Sequence, residues 1–390
     1  MKDTIYDFDV VIHREQTDCV KYDLRKETFG KEDVVPMWVA DMDFKTPDFI
    51  TNAVAERAMH PIYGYSVMSE SYYDSIVNWV KTRHSWDIHK DWISFTPGVV
   101  PGVNFAIQAF TQEGDGIIIQ TPVYFPFADS IRQNGRKLIE NQLVYKNGKY
   151  IIDFNDLEEK AKQAKMILLS SPHNPVGRCW SREELKTLGD ICVRNSVIIV
   201  SDEIHNDLIL PGYHHIPTAT LSDEVANMTV TFIAPSKTFN LAGLATSSII
   251  IQNKELREKF TEFSNQIHVS RGNLFGYVAS VAAYRHGAPW VDQLMEYIKG
   301  NFDYLSSFLK LETKQIRAVE LEATYLAWID FQKTGFSDKE VGQKLIFEAG
   351  LGLSPGPAFG NGGEGFQRMN LAAPRKTVEI ACDRLKKVFG

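Results

Sequence analysis

Cysteine is scarce in this 390-residue chain: Cys19, Cys179, Cys192 and Cys382 are the only four, widely scattered and without a CxxC pair. That spacing suggests neither a disulfide framework nor a zinc site, and buried or incidental thiols in a reducing compartment fit it better. Long apolar runs are missing as well; no stretch approaches the roughly 18 uninterrupted apolar residues of a spanning helix. The opening "MKDTIYDFDVVIHREQ" mixes both signs of charge and lacks the apolar centre of a signal peptide. A cytoplasmic location without a membrane partner is expected. Basic residues fall short of acidic ones, 42 against 49, for a net charge of −7 and a pI near 5.8. A nucleic-acid coat with a broad basic face is therefore not expected. Internal repeats, low-complexity tracts and polar linkers that would mark a domain cut are absent too.

What is present is ordinary globular material. Hydrophobic residues make up 44% and charged residues 23%, enough apolar surface to exclude a disordered chain. At about 150 residues per domain the length suggests two to three domains. From about residue 46 to 290, short apolar runs alternate with helical patterns, the signature of a mostly parallel α/β sheet. Thr46-Pro47 is expected to cap and open a helix with Phe49, Ile50, Ala53 and Val54 on one face. Strand cores are read at 117–119, 166–169, 197–200, 230–233 and 247–251, and a Ser181/Glu184 capping box opens a helix reaching Arg194. After Pro289 the texture becomes α+β: helical patterns at 290–309 and 338–349 flank two strands, "TYLAWIDF" and "FQRMNLA". The first 45 or so residues fit neither pattern and read as an arm packed on one of the domains.

The polar residues sit where chemistry needs them. In open α/β sheets, ligands bind outside the carboxyl ends of the strands. Tyr124, Asn174, Asp202 and Lys237 each fall just past a separate apolar strand, so four such side chains converge on one crevice. A lysine after a strand is ordinarily solvent-facing, but in an apolar crevice its pKa falls and it forms Schiff bases with carbonyls. Asp202 alone reads as a cap or turn residue. Buried, it needs a cationic partner, and a protonated pyridine ring is one, the device that makes pyridoxal phosphate an electron sink.

A phosphate cradle is also available. "TPGVVPG" puts Gly98, Val99 and Val100 at the start of a helical pattern, with free N–H groups and the positive end of the helix dipole facing the loop. Ser236 adds a hydroxyl beside Lys237. Tyr124 could stack its ring on a planar cofactor or simply pack under a loop, and Arg368 is a candidate bidentate clamp for an α-carboxylate, against an ordinary surface salt bridge. Two rival readings fail. His205 with Asp207, or His214 with His215, finds no third metal ligand at a recognised spacing, and "FGNGGEGF" lacks the GK[ST] ending of a nucleotide loop. It reads better as a flexible loop beside Arg368.

In their order and spacing, "SPHNPVG", "VSDEIH" and "PSKTFN" resemble the pyridoxal-phosphate enzymes of the aspartate aminotransferase superfamily, fold type I. "VPMWVADMDF", "YGYS" and "TPGVVPG" narrow the resemblance to the MalY/PatB subfamily of cystathionine β-lyase-like C–S lyases. It runs from about residue 30 to the C-terminus. The implied fold is α/β: a large, mostly parallel sheet of the seven-stranded type over residues 46–289, which binds the cofactor. A smaller α+β C-terminal domain covers 290–390, and residues 1–45 form an arm or part of that smaller domain.

The resemblance also implies roles. Lys237 matches the lysine that holds pyridoxal 5′-phosphate covalently and later shuttles protons. Asp202 matches the aspartate paired with the pyridine nitrogen, Asn174 the asparagine on the phenolic oxygen, and Tyr124 the aromatic stacked on the ring. Lys237, Asp202 and Tyr124 form the implied catalytic set. Val99, Val100 and Ser236 match phosphate ligands, and Tyr63 a tyrosine reaching the phosphate from the other subunit of a homodimer. Arg368 matches the carboxylate clamp, with the backbone near Ala40 across the substrate. Two positions depart from the broader superfamily. His205 stands where aminotransferases usually carry a tyrosine on the phenolic oxygen, and Ala245 replaces a phosphate-binding arginine. Both departures favour the lyase branch. The expected activity is β-elimination on S-substituted L-cysteines, giving thiol, pyruvate and ammonia. An aminotransferase acting on a small amino acid is the alternative, and a cofactor-binding regulator or scaffold is a third reading, against which the intact Lys237 and Asp202 count.

Overall fold

The computed structural model describes residues 5–390. Its centre is a seven-stranded sheet in the spatial order Ile93–Thr96, Ser247–Ile250, Thr229–Ile233, Ile198–Asp202, Ala164–Ser170, Gly116–Ile119, Lys137–Glu140. Ser247–Ile250 runs antiparallel to both its neighbours; the other pairs are parallel. Side chains alternate faces along a strand, and here both faces are covered. Met166, Leu168, Ile117 and Ile119 pack with Val103 and Ile131 on one side. Ile167, Leu169 and Ile118 pack with Leu157, Leu185 and Leu188 on the other. That double burial is why the strands read as unbroken apolar runs.

Several local expectations hold and one does not. Ser181 and Glu184 form the reciprocal capping box of the Arg182–Arg194 helix. The Asp48–Ala58 helix, however, starts one residue late, with Pro47 at its N-cap and no side-chain cap bond, so Thr46 does not cap it. Pro47 supplies the extended backbone of an N-cap, and its carbonyl accepts from the Ile50 and Thr51 N–H groups at 2.9 and 3.2 Å, so the helix opens without a side-chain hydroxyl. The 290–309 pattern extends to Ala288–Glu312, and 338–349 divides into the α-helix Asp338–Gln343 and a wider π turn, Lys344–Ala349.

A second sheet of four strands orders Arg317–Ala318, Leu326–Asp330, Phe366–Asn370 and Ser354–Pro355, all antiparallel. It places Arg368 opposite Trp328 and Ser354. The N-terminal segment is tied to this region, since Val35–Pro36 pairs in parallel with Leu351–Gly352. The loop after Ala164–Ser170 is tied to it too: Arg178 Nε and the Cys179 N–H donate to Glu322 Oε2 at 2.8 and 2.9 Å. All four cysteines are free, three of them buried and Cys19 half-buried. Among the described residues, no helix is long and apolar enough to cross a membrane.

The Val99–Phe110 helix lies close on the sheet because Gly102 has no side chain. A Cβ there would stand 2.3 Å from Phe232 Cε1 and 2.9 Å from Thr96 Oγ1. Gly102→Ala is expected to lower stability by about 1–3 kcal/mol through overpacking, read as a shift of the denaturant midpoint. An unchanged midpoint would mean that the helix does not depend on this close approach.

Candidate active site

The sheet's carboxyl ends, the N-terminal segment and the second sheet enclose a cavity of about 400 Å³. Tyr124, Asn174, Asp202, His205, Ser236, Lys237, Val99, Val100, Ala40 and Arg368 all line it. Tyr63 does not; it stands out on the surface, 60% exposed, its hydroxyl donating to the Ala58 carbonyl at 2.5 Å. Sequence reasoning missed Trp38, Ser354 and Tyr325. Only the "VPMWVADMDF" stretch hinted at the first.

Asp202 ends its strand with one side-chain hydrogen bond, from the Ile204 N–H to Oδ1 at 3.1 Å. It is buried and has no ion pair among the described residues. Burial, opposed first by the Ile204 N–H bond and then by the charge of Lys237, pushes its carboxyl up to about 7. Lys237 lies on the short helix Pro235–Thr238, opened by Pro235. Its Nζ donates to the Ala40 carbonyl at 2.7 Å, and the Tyr325 hydroxyl donates to the same oxygen at 2.9 Å. Burial first, then the Arg368 charge, lowers the Lys237 ammonium to about 8. About a tenth of it is then neutral at pH 7, against well under a thousandth for an ordinary lysine.

Arg368 is buried, yet its guanidinium is only partly engaged. Nη1 donates to Asn174 Oδ1 at 3.0 Å and Nη2 to the Trp38 carbonyl at 2.8 Å and to Ser354 Oγ at 3.4 Å, while Nε has no partner. Its Cζ stands over the Phe359 ring at 4.8 Å. Burial lowers it to about 10, so it stays cationic at neutral pH. An unpartnered buried donor costs on the order of 1–3 kcal/mol, and an incoming carboxylate removes that cost. His205 is driven down to about 3 by burial, then by Lys237 and Arg368; it is neutral, and its buried Nδ1 is unpartnered. Tyr124 is raised by burial and then by Asp202, so it stays a phenol.

At the other end, Gly98 precedes the Val99–Phe110 helix with φ +126°, a conformation that favours glycine, and no side chain caps the helix. The first amides are left to an anion. Ala245 stands at φ +43° with no charge to offer. The arrangement thus accepts an anion at the helix start, a cation against Asp202 and a carboxylate at Arg368, around a lysine that loses its proton easily. His205 and Asp207 are not joint ligands. His205 lines the cavity, whereas Asp207 bonds Trp79, His84 and Thr238.

Comparison with known proteins agrees with this geometry. Residues 32–385 match the family model for aminotransferase class I and II. The chain is 43% identical over 385 residues to cystathionine β-lyase PatB of Bacillus subtilis, covering 98% of this chain and 100% of that one. Among solved structures, cystalysin of Treponema denticola, which contains a pyridoxal 5′-phosphate cofactor, superposes with a TM-score of 0.96 at 40% identity, over 99% of each chain. The pyridoxal-phosphate-bound C–S lyase of Staphylococcus hominis superposes with a TM-score of 0.91 at 34% identity, over 99% of this chain and 98% of that one.

The lowered Lys237 ammonium has a direct readout. In cofactor-free protein, reductive methylation of Lys237 by formaldehyde and cyanoborohydride, followed by peptide mass spectrometry, is expected to rise with a midpoint near pH 8. A midpoint at the ordinary lysine value of about 10.4 would mean that the amine is not desolvated.

Proposed function

The chain belongs to the aminotransferase class I and II family, and from that membership we propose that it is a pyridoxal-phosphate-dependent C–S β-lyase acting on S-substituted L-cysteines such as cystathionine. The observation that carries this reading is the cavity in which Asp202, buried without a counter-cation, shares its space with the deprotonatable Lys237. The residues fit the cofactor. Asp202 suits a pyridine nitrogen, neutral His205 and Asn174 suit the phenolic oxygen, and the Val99 and Val100 amides with Ser236 suit the phosphate. Bound pyridoxal 5′-phosphate supplies a conjugated electron sink that stabilises negative charge at the substrate α-carbon.

The chain's own residues do the rest. Arg368 holds the α-carboxylate through Nε and the donors that Asn174, Trp38 and Ser354 leave free, which fixes the α-carbon. Lys237 Nζ, released from the Ala40 carbonyl, takes the α-proton in its neutral form. Asp202 stays ionised once a positive nitrogen faces it, and Tyr124 covers the ring face. The β-thiolate then departs. The net reaction turns one S-substituted cysteine and one water into thiol, pyruvate and ammonia. Neutral His205 and the uncharged Ala245 support elimination over transamination, as do the C–S lyases among the relatives.

The reading includes a homodimer. Met59, Ile62, Tyr63, Tyr65 and Val67 form an exposed apolar run, the kind of patch that marks an interaction surface. It supports a second copy packing there, with Tyr63 reaching that copy's phosphate end. In the same reading residues 46–289 form the cofactor-bearing unit and 290–390 a smaller one. Residues 1–45 are the arm, and the pairing of Val35–Pro36 with Leu351–Gly352 supports that.

Purified protein incubated with cystathionine and no keto acid is expected to release pyruvate and thiol in equal amounts. Turnover that requires 2-oxoglutarate and releases no thiol would make it an aminotransferase instead. Arg368→Ala is expected to raise KM about 30- to 1,000-fold, equal to roughly 2–4 kcal/mol of lost charged hydrogen bonding, while the cofactor is retained. Normal substrate binding by that variant would assign the clamp to another arginine.

A further inference from the structure

Asp207 leaves the same strand exit as Asp202 and His205, yet it does not line the cavity. Its buried carboxylate gathers three donors from two other elements. Trp79 Nε1 reaches its two oxygens at 3.0 and 3.2 Å, and His84 Nε2 reaches Oδ1 at 2.9 Å. Both come from the helix Glu70–His84. The third donor is the Thr238 hydroxyl, 2.9 Å from Oδ2, and Thr238 is the residue after Lys237. Against burial, the bond and charge of His84, then the charge of Arg83 and the Thr238 bond, favour the ionised form and hold the Asp207 carboxyl below its ordinary range.

A second brace closes the other end of the loop. His215 Nε2 meets Glu203 Oε2 at 2.9 Å. Glu203 Oε1 accepts from Ser201 Oγ and from the Thr218 N–H, each at 2.9 Å. The His215 ring stands edge-on to the His84 ring, with centroids 5.4 Å apart. The stretch 203–207, which presents His205 to the cavity and follows Asp202 directly, is thereby pinned at both ends. Only the Asp207 end is also joined to the turn that carries Lys237. Fixing the Thr238 side chain fixes that turn, and with it the direction in which the Lys237 side chain leaves the backbone towards the Ala40 carbonyl and Asp202.

We propose that Asp207 is a positioning residue which, through the Thr238 hydroxyl, holds the Lys237 amine in register with Asp202 and with the Ala40 carbonyl. This rests on the reading of Lys237 as the cofactor lysine. The two carboxylates of one loop then have separate duties. Asp202 meets the cofactor, and Asp207 aligns the lysine that the cofactor needs.

Thr238→Val tests this with least disturbance, because it keeps the side-chain shape and leaves Asp207 its bonds to Trp79 and His84. In the cofactor-loaded enzyme, kcat on cystathionine is expected to fall about tenfold or more with KM within about threefold, the signature of a misplaced reacting group. The pH midpoint of the cofactor's visible band, and the Lys237 methylation midpoint in cofactor-free protein, are both expected to move by about half a unit or more. Thr238→Ser, which restores the hydroxyl, is expected to recover all three, and Asp207→Asn to reproduce the Thr238→Val effects. A folded Thr238→Val protein with wild-type kcat and midpoints overturns the proposal. So does an Asp207→Asn protein that loses only melting temperature. Should Asp207→Asn fail to fold, the Thr238→Val and Thr238→Ser pair decides alone. A visible band that survives in Lys237→Ala would instead overturn the lysine assignment itself, a result distinct from an inert Thr238.

Discussion

A carboxylate taken out of water needs positive charge nearby, and Asp202 has none bonded to it in the protein. A single N–H, from Ile204, is the only side-chain hydrogen bond it receives among the described residues. Lys237 shares the cavity and would pair with it if the geometry allowed. An ion pair there would lock the lysine in its charged form, and an ammonium can neither attack a carbonyl nor accept a proton. The structure avoids this by giving Nζ to the neutral Ala40 carbonyl instead. Both groups are then left with perturbed protonation, the carboxyl raised and the ammonium lowered. Perturbed pairs of this kind cluster at functional sites. Much of the surrounding architecture keeps these two groups near each other and unpaired.

The acceptor that makes this possible lies far from Lys237 in sequence, and it is held by charge. Arg14 bridges Asp41, at 2.6 Å from Nη2, and Asp43, at 2.6 Å from Nη1; Lys21, only 1% exposed, adds a bond to Asp43 at 2.8 Å. Two cations and two anions in one network satisfy each other where any one of them alone would be costly to bury. Asn240, three residues after Lys237, donates to the Met42 carbonyl and accepts from its N–H, each at 3.0 Å. The wall that supplies the Trp38 and Ala40 carbonyls is thus fastened both to Arg14 and Lys21 and to the lysine turn. Arg368 and Lys237 share one support.

What the sequence reveals follows from which interactions are local. The central strands are legible because burial on both faces leaves apolar runs, and the ligand face is legible because polar residues end those runs. Tyr124, Asn174, Asp202 and Lys237 are found that way, and the structure places all four in one cavity. The Ser181 box is legible because its partners are three residues apart. Thr46 misleads because Pro47 opens the helix without needing a cap. Trp38 and Tyr325 act through a backbone carbonyl and through a hydroxyl aimed at one, and neither leaves a pattern in composition or period. Asp207 reads as part of a polar loop until Trp79 and His84, on one helix, and Thr238, on the lysine turn, are brought to it from far along the chain on either side.

The phosphate end shows how the site divides its charge. Among the residues lining the cavity, Asp202, Lys237 and Arg368 are the charged ones, with His205 held neutral. Ala245 contributes no cation. In the proposed reading a phosphate therefore meets amides, a serine hydroxyl, the Tyr63 hydroxyl of a second copy and the partial charge of a helix start, about half an elementary charge and confined to the first turn. That is weak neutralisation for a dianion. The remaining hold must come from the two ends that are strong: the bond through Lys237, and a positive nitrogen against the otherwise unpaired Asp202. A cofactor held mainly at those ends stays firmly placed at the atoms where the reaction occurs. Cations then remain few, and the one beside the substrate, Arg368, keeps its unsatisfied Nε for the carboxylate.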